Sequence, residues 1–284
     1  MKNAGNTNAG GAANRPTRKA GMVHLVGAGP GDPELLTLKA LSAIQSADVV
    51  VFDRLVSDEI LQLVPHSAER IDVGKAPRHH PIPQEEINAR LVTLARKGMN
   101  VVRLKGGDPF LFGRGGEEAI ALMAAGIAFE VVPGITSAQG AAAGLRMPLT
   151  HRGLASGVRL LTGHRRGGVE LDFDWSGLAD PDTTLVVYMA LANISEIAAA
   201  LISNGRDART PVLAVANVTR ADETRLYSTL ATIARDVSWA GLEAPVLFVI
   251  GEVVAIAQFM QRAAFACPAA EAIDVDKHVA VAAE

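Results

Sequence analysis

The sequence predicts an α/β protein of two domains, and three observations support this fold class. Apolar, strand-like runs alternate with segments of helical periodicity from residue 22 onward. After about five strands the same alternation restarts near residues 134–157. Glycine-rich or polar residues follow several of the strands, which is where α/β folds place their sites. We therefore expect two sheets, each covered by helices.

The elements follow in order along the chain. Strands are predicted at 22–29, 48–53, 69–74, 100–108 and 128–134, and again at 157–164, 183–190, 211–219 and 244–254, with an extra antiparallel strand at 223–227. Helices are predicted at 34–47, 84–98, 115–126, 136–145, 193–205 and 228–237. The predicted units are a tail at 1–20, an N-terminal domain at 21–135, a linker and helix at 136–157, a C-terminal domain at 158–262 and a tail at 263–284.

Composition narrows the class of protein. Of 284 residues, 49% are hydrophobic and 20% are charged, which is typical of a globular chain. The net charge of -3 offers no basic field for nucleic acid, so we expect no nucleic-acid partner. Cys267 is the single cysteine, which favours a reducing, cytoplasmic location. No apolar run is long enough to span a membrane, so no membrane partner is expected.

The first glycine loop, GAGPGDP at 27–33, leaves three interpretations open. Its spacing is G-x-G-x-G, whereas the dinucleotide-binding fingerprint is G-x-G-x-x-G. Pro30 has no N–H for a phosphate, and Asp32 adds a negative charge beside it. Asp53 nevertheless lies at the distance expected of an acidic ribose ligand. The loop is a nucleotide site, a tight turn without a ligand, or a pocket wall that contacts a ligand through Pro30.

The second glycine loop, VVRLKGGDPFLFGRGGEE at 101–118, is the more informative motif. Gly106 and Gly107 permit close approach of a ligand to the backbone. Together with VGAGPGDPELLTLKA, FDRLVS, GKAPRHHPIPQEEIN, VPGITSA and PLTHRG, this segment resembles the uroporphyrinogen-III C-methyltransferases, which belong to the tetrapyrrole methylases. The resemblance extends from about residue 22 to about residue 257.

The resemblance implies a fold, a reaction and partners. It implies the tetrapyrrole methylase fold, in which S-adenosylmethionine binds in a cleft between two α/β domains of a homodimer. The implied reaction methylates two ring carbons of uroporphyrinogen III, giving precorrin-1, then precorrin-2, with S-adenosylhomocysteine as the other product. No metal is implied. A later precorrin methylase of the same fold and an NAD-binding oxidoreductase are the alternatives.

The resemblance also assigns site residues. The implied cofactor contacts are Pro30, Gly106, Gly107, Asp108, Leu111, Thr136, Ser137, Met189, Val218 and Val246. The implied substrate contacts are Arg114, Glu117, Arg152 and Met189. The catalytic candidates are Arg114, Glu117, Arg152 and Asp53, since the substrate carries eight carboxylates and must also lose a proton. Which of Arg114, Glu117 and Asp53 takes that proton stays open.

Other charged and histidine side chains are assigned more general roles. A basic patch for the substrate carboxylates is predicted to include Arg103, Lys105, Arg146, Arg78, His79 and His80. His24, His151 and His164 lie far apart without Cys or carboxylate at ligand spacing, so we interpret them as structural. Phe52, Ala190 and the segment ANVT at 216–219 depart from the pattern typical of the family.

Overall fold

The protein is described from a computed structural model, which covers residues 21–74, 82–164 and 171–266. The predicted N-terminal tail, all but residues 263–266 of the predicted C-terminal tail, and the basic residues Arg78, His79 and His80 lie outside the described residues. Two five-stranded sheets, one in each half of the chain, form the framework. The predicted α/β class with two sheets is confirmed.

The first sheet is entirely parallel. Its strands are β1 (Val23–Gly27), β2 (Val49–Phe52), β3 (Glu69–Asp72), β4 (Val101–Lys105) and β5 (Phe129–Val132), in the order β3-β2-β4-β1-β5. In register, Val23 of β1 lies opposite Val101 of β4 and Phe129 of β5. Helices α1 (Leu38–Gln45), α2 (Asp58–Leu61), α3 (Gln84–Arg96) and α4 (Gly115–Ala124) alternate with these strands. All the carboxyl ends of the strands therefore lie along one edge of the sheet.

Both faces of this sheet are buried, which explains the unbroken apolar runs in the sequence. Successive residues of one strand enter opposite core clusters: Val26 packs with Val50 and Leu104, whereas Leu25 packs with Val51 and Leu91 of α3. Strand β4 is buried along all five of its residues, including its two cations. Those two buried cations require buried partners of opposite charge.

The second sheet is mixed. Helix α5 (Ser137–Gly144) connects the halves, and strands β6 (Gly157–Thr162), β7 (Thr183–Tyr188), β8 (Pro211–Ala216), β9 (Thr224–Thr229) and β10 (Val246–Ile250) follow in the order β6-β7-β10-β8-β9. Strand β10 is antiparallel to both β7 and β8, which was not predicted. Strand β9 is antiparallel to β8, in agreement with the predicted extra antiparallel strand. Helices α6 (Trp175–Leu178), α7 (Ile194–Ser203), α8 (Ile233–Ala240) and α9 (Val253–Ala266) complete this half. Ala138 and Ala141 of α5 pack in the core of this second sheet.

Several element boundaries were predicted wrongly, and the helix α9 was not predicted. The strand predicted at 244–254 ends at Ile250, and α9 begins at Val253 and runs past the predicted domain end at 262. Gly251, with φ of 148°, separates two apolar segments that hydropathy alone does not divide. The helix predicted at 228–237 begins only at Ile233, because the ladder between β8 and β9 continues to the pair of Pro211 and Thr229.

Candidate active site

Three glycines hold the ends of the central strands in contact. A Cβ atom on Gly27 would lie 2.5 Å from the amide nitrogen of Gly134 and 2.7 Å from the carbonyl oxygen of Gly107. The three residues follow or end β1, β4 and β5, so side chains there would force the strand ends apart. The backbone itself therefore forms the floor of the region where a ligand is expected.

The first glycine loop is bonded to the second rather than open to phosphate. The Gly29 N–H donates to the Gly107 carbonyl at 3.1 Å, and the Gly107 N–H donates to the Gly29 carbonyl at 2.7 Å. Asp32 caps the short 3-10 turn Pro33–Leu35, accepting from the Glu34 N–H at 2.8 Å. Pro30 is buried against Gly140 of α5. The loop is a packed wall, which removes the basis of the dinucleotide interpretation.

The second glycine loop is stabilised by Asp108. One carboxylate oxygen accepts from the Phe110 N–H at 2.8 Å, and the other accepts from the Gly134 N–H at 3.0 Å. Asp108 thus ties the loop after β4 to the loop after β5. Two residues of the loop, Phe112 and Arg114, hold positive φ angles of 54° and 58°. Such strain in non-glycine residues is concentrated at functional sites.

Arg114 and Glu117 form an exposed, two-bond ion pair at the start of α4. The Arg114 Nε donates to Glu117 Oε1 at 2.8 Å, and Nη2 donates to Oε2 at 2.7 Å. Both side chains are about half exposed. The hydrogen bond to Glu117 raises the pKa of Arg114 above its ordinary value. The arginine is therefore a fixed cation whose remaining donors face solvent or a ligand.

Two cations assigned to the basic patch are instead buried, so that prediction is wrong for Arg103 and Lys105. The fully buried Glu118 accepts from Arg103 Nε at 2.9 Å, from Lys105 Nζ at 3.1 Å and from Gln84 Nε2 at 3.2 Å. Burial, with repulsion from Arg103, lowers the pKa of Lys105. Glu118 was not recognised from the sequence, because Arg103 and Lys105 were assigned to an accessible basic patch and so did not call for a buried carboxylate.

Asp53 lies at the end of β2 and touches this buried cluster. Its Oδ1 accepts from the Leu55 N–H at 3.2 Å, and its Oδ2 lies 3.4 Å from Nη2 of Arg103. The side chain is one-quarter exposed. Asp53 is therefore a partly exposed carboxylate that contacts the buried charge of Arg103.

Tyr188 connects the two halves of the chain and was not predicted. Its hydroxyl hydrogen-bonds Thr136 and accepts from the Ala138 N–H at 3.1 Å, in the first turn of α5, beside Ser137. Its ring lies 5.1 Å from that of Phe112, centroid to centroid. Burial raises the pKa of Tyr188, so its hydroxyl stays protonated. Its signal in the sequence was its position at the end of a predicted strand, next to Met189.

The remaining predicted cofactor contacts differ in accessibility. Met189 is half exposed and has a φ of 52° at the end of β7. Leu111 is partly exposed in the second glycine loop. Val218 and Val246 are buried, each 6% exposed, in the hydrophobic clusters of the second domain. Of these four side chains, Met189 and Leu111 offer accessible surface in this structure.

Arg152 lies in a hairpin that is separate in sequence from the two glycine loops. The hairpin is closed by the backbone bridge between His151 and Ala155. The hairpin and Asp182 line an open pocket of about 530 Å³, and Arg114 and Glu117 are not part of that lining. The structure pairs Arg114 with Glu117 and places Arg152 in the hairpin at 151–155.

Histidines of the described residues make structural contacts. Within residues 21–74, 82–164 and 171–266, no group of three or more His, Cys, Asp or Glu residues is arranged to hold a metal ion. His24 bonds Asn100 at 2.9 Å, and His151 bonds the Arg152 carbonyl at 2.9 Å. In the same part of the chain, every helix is too short or too polar to cross a bilayer.

Comparison with known proteins decides the family. The model of the Tetrapyrrole (Corrin/Porphyrin) Methylases matches residues 22–234, which include both glycine loops and Arg152. This chain belongs to the tetrapyrrole methylases. The matched segment covers the whole first domain and most of the second, so the family assignment rests on both halves of the site.

Individual relatives of this tetrapyrrole methylase are informative. It is 58% identical to the uroporphyrinogen-III C-methyltransferase of Paracoccus denitrificans over 84% of each chain. It is 52% identical to the siroheme synthase of Chromobacterium violaceum, covering 84% of this chain but only 51% of that protein. Its fold matches uroporphyrin-III C-methyl transferase from Thermus thermophilus complexed with S-adenyl homocysteine, with a TM-score of 0.72, 45% identity, and 83% and 100% coverage.

Proposed function

We propose that this chain uses S-adenosylmethionine to methylate two ring carbons of uroporphyrinogen III, giving precorrin-1 and then precorrin-2, with S-adenosylhomocysteine released. The observation that carries this proposal is the 58% identity to a uroporphyrinogen-III C-methyltransferase along 84% of each chain. The Thermus thermophilus relative, complexed with S-adenyl homocysteine, supports the same cofactor class.

The floor of the cleft fits such a cofactor. S-adenosylmethionine supplies a methyl group on a sulfonium and carries no phosphate. The interlocked glycines at 27, 107 and 134 offer close backbone approach without a cluster of phosphate-binding N–H groups. No heavy atom lies within 4 Å of the Cβ position of Gly107, so the backbone there is accessible. We assign Gly106, Gly107, Leu111, Thr136, Ser137 and Met189 to hold the cofactor, with Pro30, Asp108, Val218 and Val246 shaping the walls.

The substrate carboxylates require fixed cations. Arg114 is held by Glu117 with two bonds and keeps its remaining N–H donors available. Arg152 stands in an open pocket at the hairpin 151–155. We assign both arginines to substrate carboxylates and Met189 to the apolar face of the macrocycle.

The contacts of Arg114, Glu117 and Asp53 support a proposal for the proton acceptor. The Arg114 guanidinium donates two hydrogen bonds to Glu117 and normally stays protonated, so it is poorly suited to accept a proton. Both oxygens of Glu117 are engaged by Arg114, whereas Asp53 is a partly exposed carboxylate at a strand end. We therefore favour Asp53 as the proton acceptor and Glu117 as the residue that orients Arg114.

The test follows labelled methyl from S-adenosylmethionine into uroporphyrinogen III. We expect the wild type to transfer label, and Arg114→Ala or Arg152→Ala to raise the KM for the tetrapyrrole about ten- to a hundredfold while sparing the KM for S-adenosylmethionine. Asp207→Asn, which alters an exposed arginine–carboxylate pair in the second domain, serves as the control. Tight NAD binding by calorimetry, with no response to S-adenosylmethionine, would overturn the assignment.

We further propose a homodimer that works in the cytoplasm. Phe110, Ile120 and Met123 are apolar side chains that are 59–67% exposed in and beside α4. Ile120 and Met123 share one face of the helix, three residues apart. A second copy of the chain would cover this face, and a single cysteine suits a reducing compartment.

A further inference from the structure

The loop after β8 reaches from the second domain to the strand ends of the first. Thr219 Oγ1 accepts a hydrogen bond from the Asp32 N–H at 3.2 Å. Arg220 Nη2 donates to the Leu55 carbonyl at 2.6 Å. Asp32 follows β1 and Leu55 follows β2, so a single short segment contacts two neighbouring loops across the cleft.

The stem of Arg220 also covers the first glycine loop. A Cβ atom on Gly31 would lie 2.6 Å from Cγ and 3.2 Å from Nε of Arg220. On its other side, the Gly31 carbonyl accepts from Ser57 Oγ at 2.6 Å. Gly31 is thus held between a buried serine of its own domain and an arginine of the other. Any side chain at this position would displace the arginine.

The loop that presents Arg220 is itself rigidly built. Glu223 Oε2 accepts from the Thr219 N–H at 2.7 Å, and Asp222 accepts from Asn217 Nδ2 at 2.8 Å. The Arg220 N–H donates to the Asn217 carbonyl at 3.0 Å. Asn217 and Thr219 both have positive φ angles, of 52° and 62°. Strain of this kind persists where the surrounding structure fixes a functional geometry.

We propose that Arg220 is a positioning residue that clamps the first glycine loop in the shape that receives S-adenosylmethionine. The proposal rests on the proposed function, because it names how that cofactor site is held. Arg220 acts through the contacts with Gly31 and Leu55, which we call the Arg220 clasp, and not on the reacting atoms. Without the clasp, the first glycine loop adopts its binding-competent shape for a smaller fraction of the time. The apparent affinity for S-adenosylmethionine falls in proportion to that fraction.

The decisive variant is Arg220→Met, which keeps an apolar stem over Gly31 and removes the donor to Leu55. By calorimetry we expect S-adenosylhomocysteine to bind about tenfold more weakly than to the wild type. The KM for S-adenosylmethionine should rise similarly, while kcat at saturating cofactor stays within about twofold. Arg220→Lys, which still donates to a carbonyl, should recover part of the affinity. Arg209→Met removes an exposed arginine of the same domain and should leave affinity unchanged.

The outcomes separate the clasp from the enzyme assignment. Equal S-adenosylhomocysteine affinities for Arg220→Met and the wild type would overturn the clasp and leave the proposed function intact. A lower melting temperature with unchanged affinity would also overturn it, since that is the result of a purely structural contact. Failure of the wild type to bind S-adenosylhomocysteine or to transfer methyl would overturn the proposed function, and the clasp with it.

Discussion

Arg114 shows how a single residue is prepared for binding by its backbone and by one neighbour. It sits at the N-cap of α4 with a φ of 58°, between Gly113 and Gly115, which pack against the Pro109 carbonyl. Glu117, one turn later, accepts hydrogen bonds from the guanidinium with both carboxylate oxygens. The cation is therefore oriented before any ligand arrives, which reduces the entropy lost on binding.

Replacement of Glu117 by glutamine tests its role as the holder of Arg114. A glutamine keeps the shape but offers only one accepting oxygen, so we expect the KM for uroporphyrinogen III to rise about two- to tenfold with little change in kcat. The cofactor KM should not change. Steady-state methyl transfer measures all three quantities. A large fall in kcat with unchanged substrate KM would show instead that Glu117 handles the proton.

Among the elements, β4 and α4 are linked by buried ion pairs, which a hydropathy pattern does not predict. Arg103 and Lys105 are each 3% exposed and share Glu118 Oε1, while the other oxygen of Glu118 has no hydrogen-bond partner among the residues that the structure describes. Asp53 adds a longer contact to Arg103. The cluster links β4, which leads into the second glycine loop, to α4, which begins after Arg114, so it holds together the two elements that flank the loop.

The variant Glu118→Gln should be strongly destabilised. It leaves two buried cations without their fully buried anion, and removal of one partner of a buried ion pair costs about 3–5 kcal/mol. Lys105→Met should cost less, because it leaves Arg103 and Glu118 as a matched pair. Urea unfolding at neutral pH gives both free energies. Equal losses in the two variants would contradict the view that Glu118 is the centre of the cluster.

At the scale of the whole molecule, contacts between the halves of the chain define the cleft. The ring of Phe112 packs against that of Tyr188, and Arg220 donates a hydrogen bond to the Leu55 carbonyl. Pro30 packs on Gly140 of the connecting helix. The two sheets are therefore joined at the ends of their strands, where the glycine loops lie.

If the protein is a homodimer, its mass in solution is twice that of one chain. Light scattering after gel filtration should show this mass for the wild type, and Ile120→Lys should shift it toward the monomer, because a charge would be placed in an apolar interface. Trp239→Lys changes an isolated exposed aromatic residue on α8 and should leave the mass unchanged. A wild-type monomer at micromolar concentration would contradict the proposal.

The sequence by itself determined those features that depend on neighbours along the chain. The alternation of strands and helices, the two glycine loops and the antiparallel strand near residue 225 followed from local periodicity and turn chemistry. The proximity of Arg114 and Glu117 follows from their spacing of three on a helix. The short helices α2 and α6, of four residues each, were missed because one turn carries no periodic signal.

Only the tertiary structure decided which distant residues meet. Arg220 and Leu55 are 165 residues apart, and Tyr188 and Thr136 are 52 apart. Arg103 and Lys105 read as surface cations in the sequence and became buried when α4 packed over the sheet with Glu118. Such contacts depend on how whole elements pack against one another, and a local pattern specifies the face of an element but not the partner that covers it.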